Sequence, residues 1–289
     1  MAEYSDTPVH ADALKRRLMN VYGIDDQVAT RRMRSMASVV LAEMLPGAIV
    51  KGGTGLNLRY GPDRSRFSTD VDTTRPRVGT LDDFLTALKR SMRNGWNGFT
   101  ATLREPKEQR IPIHIPTEYA MYRAKVKIDY LGSTFATVEL EVTLDEVDSF
   151  EDQQLQISHE LIELFTNVGL PAPEPVAIIS PEHQIAQKLH ACTTPNGFGN
   201  YDRAHDLVDI HLLRINENPD PAKVARIAER LFAFRNKGAW PVEVRVWPGW
   251  DTQYAEAAED FNIPDLQTVV SLTNEFVQQC VEAARQQNH

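Results

Sequence analysis

Two cysteines in 289 residues, both inside helical patterns and far apart, give no basis for a disulfide framework or a zinc site; Cys192 and Cys280 read as core residues. No apolar run approaches the roughly 20 residues that span a bilayer, and the start Met1-Ala2-Glu3-Tyr4-Ser5-Asp6 lacks the basic and apolar parts of a signal peptide. The expectation is a cytoplasmic chain with no membrane partner. Internal repeats and low-complexity tracts are missing as well. A composition of 42% hydrophobic and 25% charged residues excludes wholesale disorder and suffices for one large domain or two small ones.

A basic excess is also lacking, since the net charge is −9, which argues against nucleic-acid binding over the whole surface. The charge is uneven, however. Residues 1–127 hold 21 Lys/Arg against 14 Asp/Glu, and residues 128–289 hold 10 against 26, so the halves differ as +7 and −16. Arg31, Arg32 and Arg34, then Arg64 and Arg66, Arg75 and Arg77, and Arg123, Lys125 and Lys127 are either solvated faces or a surface for a phosphate-bearing substrate.

Apolar spacing predicts helices over 11–22 and 25–44, ended by Gly23 and by Pro46-Gly47. A short strand over 48–50 leads to a turn at Gly52-Gly53, a helix from Thr54 to Leu58, a Gly/Pro/Asp-rich turn over 60–65 and a partner strand over 67–73. Thr80 caps a helix over 81–92. Strands over 122–130 and 135–144 alternate apolar and charged residues and join as a hairpin at Leu131-Gly132-Ser133. Pro171, Pro173 and Pro175 mark a boundary, giving domains 1–170 and 171–289; the second is expected to be helical throughout, over 181–192, 202–213, 221–234 and 266–284.

Within this frame, Lys51-Gly52-Gly53-Thr54 followed by Ser68-Thr69-Asp70-Val71-Asp72 carries the chemistry. Asp70 and Asp72, two apart on a strand, point to one face, where hard oxygen ligands suit Mg2+ or Mn2+. Glu141, on the polar face of the strand over 135–144, is the expected third carboxylate, with Glu139 the competing choice. Gly52 and Gly53 form either a plain tight turn or, with the Thr54 hydroxyl and the following helix start, a cradle for a triphosphate, to which Lys51 and Arg66 add positive charge. Ser68 shares the face of Asp70. A phosphate placed there would repel a triphosphate; the plainer reading is a strand-edge hydrogen bond. In the second half, Lys188 on the Gln184-to-Ala191 helix and the pair Asp206 and Asp209, at i and i+3, form either a structural ion-pair network or a set of nucleotide contacts.

The order of Lys-Gly-Gly-Thr, Arg-x-Ser-x-Asp-x-Asp, Gln-Ile-Ala-Gln-Lys-Leu-His-Ala and Asp-Arg-Ala-His-Asp-Leu-Val-Asp, from about Ile49 to Leu213, resembles the AbiEii/MenT family of nucleotidyltransferase-like toxins. The resemblance implies an α+β protein, with a polymerase-β-type nucleotidyltransferase core of mixed sheet and helices followed by a helical domain that brings Lys188 and Asp209 to the cleft. It implies a toxin of a toxin–antitoxin pair that adds nucleotides, with CTP or UTP favoured, to the 3′ acceptor end of tRNA, blocking aminoacylation and translation. Asp70 then matches the principal catalytic metal ligand with Asp72 beside it, Lys188 the phosphate-contacting lysine, and Asp209 the distal catalytic carboxylate. Ser68 matches the hydroxyl that a kinase-like antitoxin phosphorylates in some members. The chain departs from the simplest motifs in having Gly-Thr for Gly-Ser and a longer stretch from Thr54 to Asp70, its extra length placed at Gly61-Pro62-Asp63. Rival readings are nucleotidyl transfer to a small-molecule or protein hydroxyl, and a non-catalytic module that binds nucleotide or protein.

Overall fold

The structure, a computed structural model, describes residues 4–105 and 120–287. It divides into two units. The first comprises residues 1–145 and 153–178, and the second residues 146–152 and 179–289.

The first unit contains α1 (Ala11–Tyr22), α2 (Asp26–Glu43), β1 (Ile49–Lys51), α3 (Gly52–Tyr60), β2 (Asp70–Arg75), α4 (Leu81–Asn94), β3 (Phe99–Arg104), β4 (Tyr122–Tyr130), β5 (Ser133–Leu144), β6 (Gln154–Gln156), α5 (His159–Thr166) and β7 (Val176–Ile178). The strands form one mixed sheet in the order β3-β4-β5-β2-β1-β7-β6. Pairing is parallel for β2 with β5 and for β1 with β7, and antiparallel elsewhere. Strand alternation explains its one-sidedness. Val71, Val126, Ile128, Leu140 and Val142 join Leu18 of α1, Met36 and Val40 of α2, Leu88 of α4 and Phe165 of α5 in a single core cluster, while the intervening residues of β2, β4 and β5 are polar. Caps fix the helix starts. Asp25 accepts from the Val28 amide, and Thr80 with Asp83 closes a reciprocal capping box on α4.

Several boundaries differ from the expectation. Helix α3 begins at Gly52 itself and runs to Tyr60, because Gly52 takes a left-handed φ of 63° that turns the strand directly into the helix. Strand β2 begins at Asp70, three residues later than predicted, and runs on to Arg75, since it needs β1 on one side and β5 on the other to pair. Strands β3, β6 and β7 were not anticipated. The last two are three residues each, too short to carry a period. The chain after the prolines therefore starts with a strand, β7, and not with a helix.

The second unit is built from α6 (Pro181–Thr193), α7 (His205–Glu217), α8 (Pro221–Arg235), α9 (Trp250–Ala258), also unanticipated, and α10 (Leu266–Gln287). Ser180 and Asp220 cap α6 and α8, each followed by a proline at the helix start, where its missing amide costs nothing. Residues 146–152 belong here because Val147 packs on Ala186, Ile227, Leu231 and Phe232, and Glu146 pairs with Arg235 at 2.6 Å. Both cysteines are free and buried, and burial pushes the Cys280 thiol up to about 12, as an inert core residue requires. Among the described residues no helix is long and apolar enough to cross a membrane.

Candidate active site

The junction of β1 and α3 is made possible by its glycines. A Cβ on Gly52 would collide with Asp72 Oδ2, and one on Gly53 would lie 2.9 Å from Ser68 Cβ and 3.0 Å from its Oγ. Their absence lets β2 and the loop before it close against the first turn of α3. Lys51, the residue before that turn, is extended and offers no side-chain cap. The positive end of the nine-residue helix thus faces the aspartate strand, with Asp72 close against Gly52. The buried Thr54 hydroxyl does not point outward as expected; it donates to the Asp70 carbonyl and so ties α3 to β2. Ser68 Oγ also donates to that carbonyl, at 3.2 Å. Thr69 Oγ1 donates to Asp70 Oδ1 at 2.8 Å, and the Arg66 guanidinium lies beside Gly53.

Strand register sets two charged rows across the polar face. The first runs Lys51, Asp72, Glu141, Arg123 over β1, β2, β5 and β4. The second runs Asp70, Glu139, Lys125, Arg104 over β2, β5, β4 and β3. Lys51 Nζ donates to Thr143 Oγ1 at 2.7 Å, and Arg123 Nε meets Glu141 Oε1 at 2.6 Å. Glu141 is buried, and its carboxyl is pushed up to about 7. The causes are, first, desolvation, then the charge of Asp72 and the hydrogen bond to it; Arg123 opposes them and Asp70 adds to them. Glu141, not Glu139, is therefore the carboxyl that meets Asp72.

The donor chemistry of Asp70, Asp72 and Glu141 fits a hard divalent cation, and the crowding of Glu141 on Asp72 is the strain that such a charge relieves. Their side chains are not gathered into a finished cage, because among the described residues no three His, Cys, Asp or Glu stand grouped to hold a metal ion. Arg123 instead holds Glu141.

The second unit gathers the other predicted residues. Lys188 Nζ lies 2.8 Å from Asp206 Oδ1 and 2.6 Å from Asp209 Oδ2, both acids being fully buried and Lys188 nearly so. Arg203 Nε adds a bond to Asp206 Oδ2 at 2.7 Å. Burial alone would raise the Asp206 pKa, yet the charges of Lys188, Arg203 and His205 hold it well below the usual carboxylate range. Sequence reading brought these three together but missed Arg203 as a fourth member. Its i, i+3 spacing to Asp206 was the available signal.

A mixed sheet whose central strand carries Asp-x-Asp beside a glycine-initiated helix defines a nucleotidyltransferase-type fold. The chain belongs to the family described as nucleotidyl transferase AbiEii toxin, Type IV TA system, whose model matches residues 34–276. It is similar in structure to MenT4, a nucleotidyltransferase toxin from Mycobacterium tuberculosis, with a TM-score of 0.51 and 14% identity over 94% of this chain and 98% of that one. At that identity the likeness speaks for the fold. A Megavirus polyadenylate synthase matches with a TM-score of 0.33 and 12% identity over 70% of this chain and 34% of its own, too distant to carry an argument. No match was found among curated proteins. As a toxin of a toxin–antitoxin system, the protein has a cognate antitoxin for partner.

Proposed function

We propose that this toxin moves a nucleotide from a nucleoside triphosphate, CTP or UTP in preference, onto the 3′ hydroxyl of cytoplasmic tRNA, and so blocks aminoacylation and translation. The observation that carries the reading is the pairing of a glycine-initiated helix with Asp70 and Asp72 on the facing strand. Mg2+ or Mn2+, held by Asp70, Asp72 and Glu141, would supply the charge that neutralises the α-phosphate and the departing pyrophosphate. The amides of Gly52, Gly53 and Thr54 bind the phosphate tail, with Lys51 and Arg66 adding positive charge. In the transfer the 3′ oxygen bonds to the α-phosphorus, the bond from that phosphorus to the bridging oxygen breaks, and pyrophosphate leaves. The hydroxyl proton passes through a carboxylate of the site to water. Arg123 positions Glu141 through their ion pair at 2.6 Å. In the second unit, Lys188 and Asp209 are assigned to phosphate contact and catalysis by family likeness, with Asp206 as their buried partner.

Ser68 supplies a natural point of control. A phosphate on its Oγ would stand against Gly53 and occupy the helix end meant for the triphosphate, so a kinase-like antitoxin would silence the enzyme there. Replacing Ser68 by Asp then lowers transfer, whereas Ser68→Ala retains it.

The test is incubation of the purified protein with tRNA, Mg2+ and each labelled nucleoside triphosphate in turn. Label is expected on the RNA 3′ end from one or both pyrimidine nucleotides, lost with chelator and reduced by about 10³-fold in Asp70→Asn, the scale of several kcal/mol of charge stabilisation. Labelling of a small molecule or a protein in place of RNA would replace the acceptor. Retention of full activity in Asp70→Asn would remove the site.

A further inference from the structure

Beside Asp70 lies a cavity of about 270 Å³ lined by Arg34, Thr69, Asp70, Lys125, Thr137 and Glu139. Resting on the reading above, we propose that it is the acceptor subsite, where Arg34 and Lys125 grip the phosphodiester of the last nucleotides of a single-stranded RNA end and present its 3′ hydroxyl to Asp70.

Several of the surrounding cations are already engaged. Lys51 is tied to Thr143, Arg123 to Glu141, Lys127 to Asp129 at 2.7 Å and Arg32 to Asp63 at 3.1 Å. Among the described residues, neither Arg34 nor Lys125 is in an ion pair, although Glu139 stands next to Lys125 in the strand register. Both come from different elements, α2 and β4, and converge on one hollow. Two cations outside any ion pair among the described residues, facing one concave surface, suit a phosphate backbone.

Sheet order gives the hollow its role. The glycine turn that takes the triphosphate follows β1, on one flank of the aspartate strand β2, and Lys125 and Glu139 lie on β4 and β5, on the other flank. An in-line displacement at phosphorus brings the nucleophile in opposite the leaving group. If pyrophosphate departs over Gly52 and Gly53, the attacking hydroxyl enters from the β5 side, where this cavity is.

Size and surroundings narrow the ligand class. The hollow, about 270 Å³, stands at the small end of ligand pockets and has the size for one unit of a longer chain. Phe67 is 37% exposed, with the Arg31 and Arg34 guanidinium groups 6.0 and 5.8 Å from its ring centroid. An aromatic face among arginines suits the unstacked base of a single strand. Glu139, the one acid of the cavity besides Asp70, is an acceptor for a ribose 2′ hydroxyl, the group that separates RNA from DNA.

The experiment uses the full chain and two readouts: steady-state transfer to tRNA, and binding of a fluorescent single-stranded RNA without nucleotide. Arg34→Ala, Lys125→Ala and the double variant are compared with Arg16→Ala, an exposed cation on α1, after thermal melts establish that all are folded. The double variant is expected to raise both the KM for tRNA and the RNA Kd at least about 10-fold. The KM for nucleotide and the kcat at saturating tRNA should hold, and each single variant should lower the salt dependence of binding by roughly one. A rise in the nucleotide KM instead would assign the cavity to the triphosphate, and RNA binding by the double variant equal to that of a wild type that does transfer would overturn the proposal. A wild type that binds RNA through Arg34 and Lys125 but labels nothing would leave the subsite standing and refute the transfer reading; one that neither binds nor labels RNA would refute both.

Discussion

Two groups of acids and bases in this protein use the same chemical groups in different electrostatic settings. In the second unit, Asp206 and Asp209 are sealed from solvent and neutralised by Lys188 and Arg203, so the network is electrically complete. In the first, Asp70, Asp72 and Glu141 share a face on which Arg123 pairs with Glu141, and the Glu141 carboxyl is raised by burial and by Asp72. A complete network stabilises a fold. A carboxyl raised by its neighbour, like Glu141, is what a cation held by the proposed site would lower again.

The sharpest way to break this contrast is Lys188→Met, which leaves buried carboxylates without their cation. A loss of about 3–5 kcal/mol is expected in urea unfolding, with activity falling in parallel. Asp70→Asn, by contrast, should unfold no more easily than wild type while its transfer is lost. If Lys188→Met kept its stability and lost only turnover, the sealed network would be catalytic first and structural second.

Next in size is Gly52→Ala. The left-handed backbone costs about 1–2 kcal/mol for a residue with a Cβ, and that Cβ also displaces Asp72, so transfer should fall much further than stability. Equal losses in melting and turnover would show that the glycine serves only the turn.

The last effect, on stability without a change in turnover, is a pH dependence set by His190 in the second unit. His190 is depressed from 6.5 to about 4, chiefly by burial and then by the Arg235 charge. Between those values the unfolded chain binds the proton and the folded chain does not, so stability is present above pH 6.5 and is lost as pH falls toward 4. After allowance for partial solvent screening this is on the order of 2 kcal/mol, and His190→Gln should flatten the curve of urea midpoint against pH over that range.

Much of the site could be read in the chain because it depends on parity alone. Two acids two apart must share a face of a strand, and the apolar residue between them, Val71, chooses which face is buried. The opposing residue could not be read the same way. The tight turn pairs Tyr130 with Ser133, and extending that register would set Arg123 against Leu140; an irregularity at Ile128/Asp129 shifts it by one and brings Arg123 to Glu141. Lys188 carried two readings because the acids that bury it lie 18 and 21 residues away on another helix. Short strands such as β6 and β7 exist only through their neighbours, and α9 begins after Gly249 with no side-chain cap to announce it.

The brief excursion of residues 146–152 has a practical outcome for anyone dissecting the gene. Neither folding unit is an unbroken run of codons, so truncation at the prolines would strip Val147 from its socket among Ala186, Ile227 and Phe232. A product ending at residue 145 would likewise forfeit α5, β6 and β7. Splitting this toxin into working halves calls for grafting the heptapeptide onto the helical half and bridging residues 145 and 153 with a short linker, so that each half keeps its own plug or its own sheet edge.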